Sequence, residues 1–402
     1  MSWETVKLGD VALINNQSIG RDFGYEDIRY IDISSVGTGV LNEVKTISLE
    51  KAPSRAKRIV HHGDVILSTV RPNRRSFLYI KNPDKNTIVS TGFAVLTANS
   101  DLDKRFLYYV INDQKVTDYL TNSAKGAAYP AVDTEIVSKI EFLKPSLPTQ
   151  RKIASILSAY DDLIENNTRR IKILEEMAQS IYKEWFVNFR FPGYEKVKFV
   201  DSPIGKIPEG WKWVKVIDLY DTSSGGTPSR KKPEYYNNGI HCWLKTKELD
   251  DSFIFDTEEK ITASALKNSS AKLFPKHTVI IALYGATIGK LGILATESST
   301  NQACCGVIGK TSSFDYPYIF SFLFENREKI IDLRAGAAQQ NISQELVKNL
   351  KLIKPTENVM NSYNSVVKPL YELIAVLKNK NKNLRKTRDL LLPKLMSGEV
   401  EV

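Results

Sequence analysis

Residues 153–185 read IASILSAYDDLIENNTRRIKILEEMAQSIYKEW. Ile153, Leu157, Tyr160, Ile164, Asn167, Ile171, Leu174, Ala178, Ile181 and Trp185 recur at steps of four and three without a break, the spacing of a heptad seam. The same stepping returns 210 positions later in YNSVVKPLYELIAVLKNKNKNLRKTRDLLLPKL, through Tyr363, Val367, Leu370, Ile374, Leu377, Asn381, Leu384, Arg388, Leu391 and Leu395. A helix of that length is roughly 50 Å long, and one narrow apolar seam requires a partner helix. The nearest candidate for each is the other copy. Because a compact segment separates them, the economical arrangement is an antiparallel pair within one chain, with Ile153 facing Leu395 and a pseudo-twofold relation between the halves.

In that register Asn167 falls opposite Asn381, a pair able to hydrogen-bond inside an apolar seam and to penalise slipped alignments. The alternative is a loosened, hydrated midpoint. Arg388 is the other exception on the seam, and Asp161 or Asp162, near the opposing Tyr160, are its expected partners in a structural ion pair. Lys378, Lys380, Lys382, Arg385 and Lys386 cluster on the same helix and read as a solvated face, with a phosphate or protein contact as second choice.

The repeat extends beyond the helices. At a shift of 208, Trp3, Val6, Lys7, Leu8, Asp10 and Val11 fall on Trp211, Val214, Lys215, Val216, Asp218 and Leu219. At a shift of 210, Gly126, Ala127 and Ala128 meet Gly336, Ala337 and Ala338, and IEFLKP at 140–145 meets LKLIKP at 350–355. Both copies begin and end alike and diverge between, which suits a scaffold carrying two different surfaces.

With 402 residues the chain exceeds one ordinary core and divides into two or more domains. Lys and Arg outnumber Asp and Glu by 56 to 46, and the net charge of +10 favours an acidic partner such as nucleic acid. Cys242, Cys304 and Cys305 form neither a paired metal-ligand set nor a disulfide framework, which points to a reducing cytoplasmic setting. The N-terminus has no apolar signal core and no apolar run is long enough to cross a bilayer, so no membrane role is expected.

The globular segments read as α+β. Residues 65–70 and 279–283 are short β-branched runs after turn signals and suit buried strands. Residues 106–111 and 318–324 are apolar and aromatic and read as helices. Between the first helix and the second globular segment, FPGY at 191–194 and DSPIGKIPEGW at 201–211 carry prolines and glycines that argue against regular structure, and the stretch reads as a linker.

That linker, SGGTPS at 224–229 and the terminal LLPKLMSGEV at 391–400 closely resemble the specificity subunit of type I restriction-modification enzymes, and the resemblance spans essentially the whole chain. It implies target-recognition domains at 1–148 and 211–354, spacer helices forming a coiled coil at 149–190 and 355–402, and a linker at 191–210. Each globular domain is then expected to read one half of a split site in double-stranded DNA, with the helices as a ruler. Two methylation subunits docked on the helices and further restriction and translocase subunits are the implied partners. S-adenosylmethionine, ATP and magnesium belong on those partners in this picture, with no cofactor or metal on this chain.

A spacer of roughly 50 Å can set the separation of about 34 Å between half-sites one DNA turn apart. Phosphate contacts from Lys and Arg supply salt-dependent affinity, while a few loop side chains read base edges. In the first domain the candidates are Arg71, Asn73, Arg74 and Arg75 after a buried strand, with Lys125 and Tyr129 near the GAA anchor. In the second they are Ser229, Arg230, Lys231, Lys232, Tyr235 and Tyr236, then Thr287 and Lys290 after a strand, and Gln339, Gln340 and Asn341 after the matching anchor. The loops holding Arg71 and Lys290 lead this set. For each, the plainer reading is a solvated surface cation or a tyrosine that packs its loop.

A self-sufficient endonuclease of similar architecture is the alternative, and a coiled-coil scaffold without a DNA role is a third. GATIGK at 285–290 lacks the spacing and the following Ser or Thr of a phosphate loop and reads as a turn. Pro83-Asp84 with Asp113-Gln114-Lys115 only loosely matches a metal-dependent nuclease pattern. His61, His62, His241 and His277 lack metal-ligand spacing, and no adenine-methylating tetrapeptide is present. The chain is expected to be non-catalytic.

Overall fold

Val65–Ser68 and Val279–Ala282 are buried at every position, which is why neither alternates polar with apolar residues. Each lies inside a sheet with strands hydrogen-bonded on both sides. The computed structural model describes residues 3–20, 22–126, 129–203, 205–333 and 341–402. The chain divides into two compact units, Met1–Glu165 with Asn383–Val402, and Asn166–Lys382.

In the first unit one sheet runs Ala12–Ile14, Phe93–Ala98, Val65–Ser68, Phe77–Tyr79, all antiparallel. The other runs Lys45–Ser48, Asp27–Ile31, Thr87–Ser90, Ala56–Ile59, with its two central strands parallel. The second unit repeats this plan. Tyr220–Ser224, Cys304–Gly309, Val279–Ala282 and Leu291–Leu294 form the antiparallel run, extended by Ser252–Ile254, which pairs parallel to Leu291–Leu294. Lys260–Ile261, His241–Leu244, Ser298–Thr300 and Leu273–Phe274 form the other sheet, again with a parallel central pair.

The expected helices form at Lys104–Asn112 and Tyr316–Glu325. Asp103 caps the first by accepting from the amides of Arg105 and Phe106, and Asp315 accepts from the Tyr316 amide at the second. Phe106, Leu107 and Val110 then share a core with Val65, Leu67, Ala94 and Leu96. The repeated sequence anchors pair with each other inside each unit. Glu4–Lys7 is antiparallel to Glu141–Lys144, and Lys212–Lys215 to Lys351–Lys354, which explains why both copies begin and end alike.

The long helices span Leu147–Tyr182, 36 residues, and Glu357–Met396, 40 residues. Within the first unit Ile153, Ala154 and Leu157 share a core with Leu392, Leu395 and Met396. Within the second, Trp185 packs on Tyr363 with ring centres 5.8 Å apart. In each unit, numbering that rises along one helix falls along the other, so the segments run antiparallel. Gly398, at φ +74°, ends the second helix in the left-handed region, and its Cα side lies against the Trp3 ring.

One expectation fails. Two parts of that stretch are regular: Phe199–Ser202 and Gly205–Pro208 form an antiparallel hairpin. Gly205, at φ +114°, adopts a backbone conformation that few other residues reach, and Pro208 sits at the strand end, where its missing N–H costs little.

Candidate nucleic-acid interface

In the first unit, the chain leaves Val65–Ser68 and enters a tight turn over Pro72–Arg74. Arg71 at φ +51° and Arg75 at φ +54° flank it, both non-glycine residues in the left-handed region. The Arg71 amide donates to the Pro130 carbonyl at 2.7 Å, Val70 bridges to Ala131, and Lys125 bridges to Ala131 in turn. Arg71, Asn73, Arg74, Lys125 and Tyr129 are thereby gathered at one tip. The Arg71 guanidinium lies 4.2 Å from the Tyr129 ring centre, and Tyr129 is 68% exposed.

Arg75 behaves differently from its neighbours. Its Nη1 donates to Gln114 Oε1 at 2.7 Å and Thr117 Oγ1 at 2.8 Å, and its Nη2 to the carbonyl and Oδ1 of Asn112 at 2.7 and 2.9 Å. With four acceptors inside its own unit, this guanidinium holds the loop to the helices beneath it.

In the second unit the residues after SGGTPS form a second basic and aromatic group. Arg230 pairs with Glu259 at 2.6 Å and lies 4.3 Å from the Tyr236 ring centre and 5.0 Å from that of Trp243. Arg230 and Lys245 together hold the Glu259 carboxyl below its ordinary range. Tyr235 is buried, and its hydroxyl accepts from Lys232 Nζ at 3.1 Å, whereas Tyr236 donates to the Pro228 carbonyl at 2.6 Å. Both tyrosines thus pack this loop. Ser229 and Lys231 are exposed.

Thr287 lies in the turn before Leu291–Leu294, and Lys290 immediately precedes that strand. Lys290 Nζ donates to Asp251 Oδ2 at 2.9 Å, and Arg327 also binds Asp251 through both Nη atoms. Burial opposes ionisation of Asp251, but Lys290, the Leu291 amide and Arg327 outweigh it and keep the carboxyl below its ordinary range. Asn341 is exposed; Gln339 and Gln340 lie outside the described residues.

On the helices, Asn167 Nδ2 donates to Asn381 Oδ1 at 2.9 Å, with both side chains buried, and Asn381 Nδ2 donates to Thr168 Oγ1 at 3.2 Å. Arg388 Nη1 donates to Asp161 Oδ1 at 2.5 Å, and the Tyr109 hydroxyl donates to Asp161 Oδ2 at 2.6 Å. Asp162 instead takes Lys81 and Arg105. Of the lysine run, Lys378 pairs with Asp250 and Lys382 with Asp256. Sequence reasoning missed Asp251, Arg327, Glu259 and Tyr109. Their partners are distant in sequence and carry no shared motif.

The nuclease-like residues are engaged elsewhere: Asp84 pairs with Arg29, and Asp113 accepts from the Lys115 amide at a helix start. Among the described residues no three His, Cys, Asp or Glu side chains are placed to hold a metal ion, and no helix is long and apolar enough to cross a membrane. Burial pushes the Cys304 and Cys305 thiols up to about 12, so neither offers a thiolate at neutral pH.

The sequence profile of the type I restriction modification DNA specificity domain matches residues 1–176 and again 208–386. The chain is 24% identical to the type I restriction enzyme HindI specificity subunit of Haemophilus influenzae, over 99% of both chains. It is also 24% identical to the MjaIX specificity subunit of Methanocaldococcus jannaschii, covering 100% of this chain and 94% of that one. In fold it matches the crystal structure of the type I restriction-modification S subunit from M. genitalium with a TM-score of 0.63, at 14% identity, over 98% of this chain and 96% of that one. Two profile matches, each falling on one copy of the repeated α+β plan, give the assignment: the chain belongs to the type I restriction-modification DNA specificity family.

Proposed function

We propose that this chain is the non-catalytic, DNA-reading subunit of a type I restriction-modification complex, each unit recognising one half of a bipartite duplex site. The observation that carries this reading is the contrast between scaffold and tips. Strand order and paired end strands recur in both units, yet the tips differ: Arg71, Asn73, Arg74, Lys125 and Tyr129 in one, and Ser229, Arg230, Lys231, Thr287 and Asn341 in the other. Repeated supports with unlike loops suit two half-sites of unlike sequence. Arg75, Lys290, Tyr235 and Tyr236 hold these loops in place through contacts within their own units, and Lys232 donates to Tyr235 from the surface.

The helices set the half-site spacing and dock two methylation subunits. Exposed Ile173 and Met177 on the first helix, and Val366, Leu373 and Val376 on the second, support the docking role, as apolar side chains on an outer helix face suit a protein partner. S-adenosylmethionine, ATP and magnesium act on the methylation, restriction and translocase partners, in the cytoplasm where the chromosome lies. The endonuclease alternative loses ground because Asp84 and Asp113 serve ion pairing and helix capping.

Co-expression with methylation subunits tests the reading. The expected outcome is a stable complex that methylates adenines in one two-part motif across a host genome. A purified chain that cleaves DNA alone in magnesium would overturn it.

A further inference from the structure

We infer that the turn at 71–75 reads bases of the half-site assigned to the first unit, with Asn73 meeting an adenine, Arg74 meeting a guanine, and Arg75 as the positioning residue. The inference rests on the proposed DNA-reading role and names the side chains that carry it out.

The turn is fixed at both ends. Below Arg75 the four acceptors of Gln114, Thr117 and Asn112 immobilise the guanidinium, and Thr38 Oγ1 donates to the Arg75 carbonyl at 3.0 Å. At the other end the Arg71 amide is tied to Pro130, with Val70 bridged to Ala131. Left-handed backbone at both flanking arginines is unfavourable without such restraints, and strain of this kind gathers at binding sites. Pro72, between them, is buried. What remains facing solvent is Asn73 and Arg74.

The chemistry at the tip is one-sided. No carboxylate occurs in residues 65–83 or in residues 119–132, the two segments that meet there. Elsewhere in the unit, exposed cations find acids: Arg29 takes Asp84, Arg55 takes Asp32, and Lys81 and Arg105 take Asp162. Among the described residues the Asn73 and Arg74 side chains make no hydrogen bond or ion pair. A basic tip with an exposed aromatic ring at Tyr129 and a lysine at 125 fits a polyanion.

Asn73 and Arg74 are consecutive in a 3-10 turn, whose side chains fan out by about 120° per residue, so the two reach separate base edges. The Asn amide pairs in bidentate fashion with adenine N6 and N7, and the Arg fork with guanine O6 and N7. The half-site read by this unit should therefore contain an adenine and a guanine. Lys125 meets a phosphate beside them, and the Arg71–Tyr129 stack flanks the backbone.

The test is selection from a random duplex library by the full chain and by its Asn73→Ala, Arg74→Ala, Arg74→Lys and Arg75→Gln variants. The wild type is expected to enrich a two-part motif with an adenine and a guanine in one part. Asn73→Ala and Arg74→Ala should each lower discrimination at one position by roughly 5- to 150-fold while leaving the other part untouched. Arg74→Lys should keep affinity for unselected duplex and retain part of the guanine preference, since an ammonium also donates to guanine O6 and N7, and Arg75→Gln should blur both positions at once. A wild type that enriches no motif overturns the DNA-reading role and the inference with it. A wild-type motif retained by the variants, or flattened equally in both parts, overturns the inference alone.

Discussion

Asn167 donates to Asn381 across the paired long helices at 2.9 Å, and both side chains are buried. Changing Asn381 to Leu strands the Asn167 amide and is expected to cost about 1–3 kcal/mol. The double change to Leu should recover most of that loss, because neither buried amide then remains, and the Thr168 hydroxyl that loses its Asn381 donor is exposed to water. Urea unfolding of both variants checks this, and a double variant as weak as the single one would count against it.

Arg388, Asp161 and Tyr109 form a charged lock in the first unit. At the matching place in the second, Ser321 meets the hydroxyls of Tyr371 and Tyr363 with no charge involved. Asp161→Asn should destabilise the protein by about 1.5–3 kcal/mol, the range for hydrogen bonds to charged groups. A double-mutant cycle with Tyr109→Phe should give a coupling well above zero, whereas additive losses would mean that the hydroxyl and the guanidinium act separately.

Asp251 adds a pH dependence with a definite sign. Its carboxyl is held below the ordinary range in the folded protein, so its contribution to stability is full above the unfolded value of about 3.9 and disappears as pH falls through the lower folded value. The stability gap between wild type and Asp251→Asn should be constant near neutrality and close in acid. Denaturant titrations at a series of pH values measure it; a gap that widens in acid would contradict the assignment.

Lys125 should act as a phosphate contact. Replacing it with alanine is expected to weaken binding to all duplexes alike and to make the plot of log affinity against log salt shallower by about 0.9. Fluorescence anisotropy at several salt concentrations reads the slope, and an unchanged slope would remove Lys125 from the interface.

The helix register was legible because a heptad is a local, repeated signal: Asn167, Asn381 and the Arg388–Asp161 pair all follow from one alignment of two stripes. The two buried strands announced themselves through β-branched runs. The inward aim of Arg75 did not, since its acceptors lie 37 to 42 residues away and look like any surface polar residues in sequence. Asp251 was equally silent, with Arg327 lying 76 residues on. The hairpin at 199–208 was misread because glycine and proline interrupt strands on average but serve a turn and a strand end here. The fold was thus visible where periodicity carried it.

Glu4–Lys7 lies hydrogen-bonded beside Glu141–Lys144, and Lys212–Lys215 beside Lys351–Lys354. A module whose two ends touch can be lifted out and another put in without stretching the chain on either side. On the proposed DNA-reading role, recombination at these seams would exchange one recognition surface in a single genetic event and leave the long helices as they are.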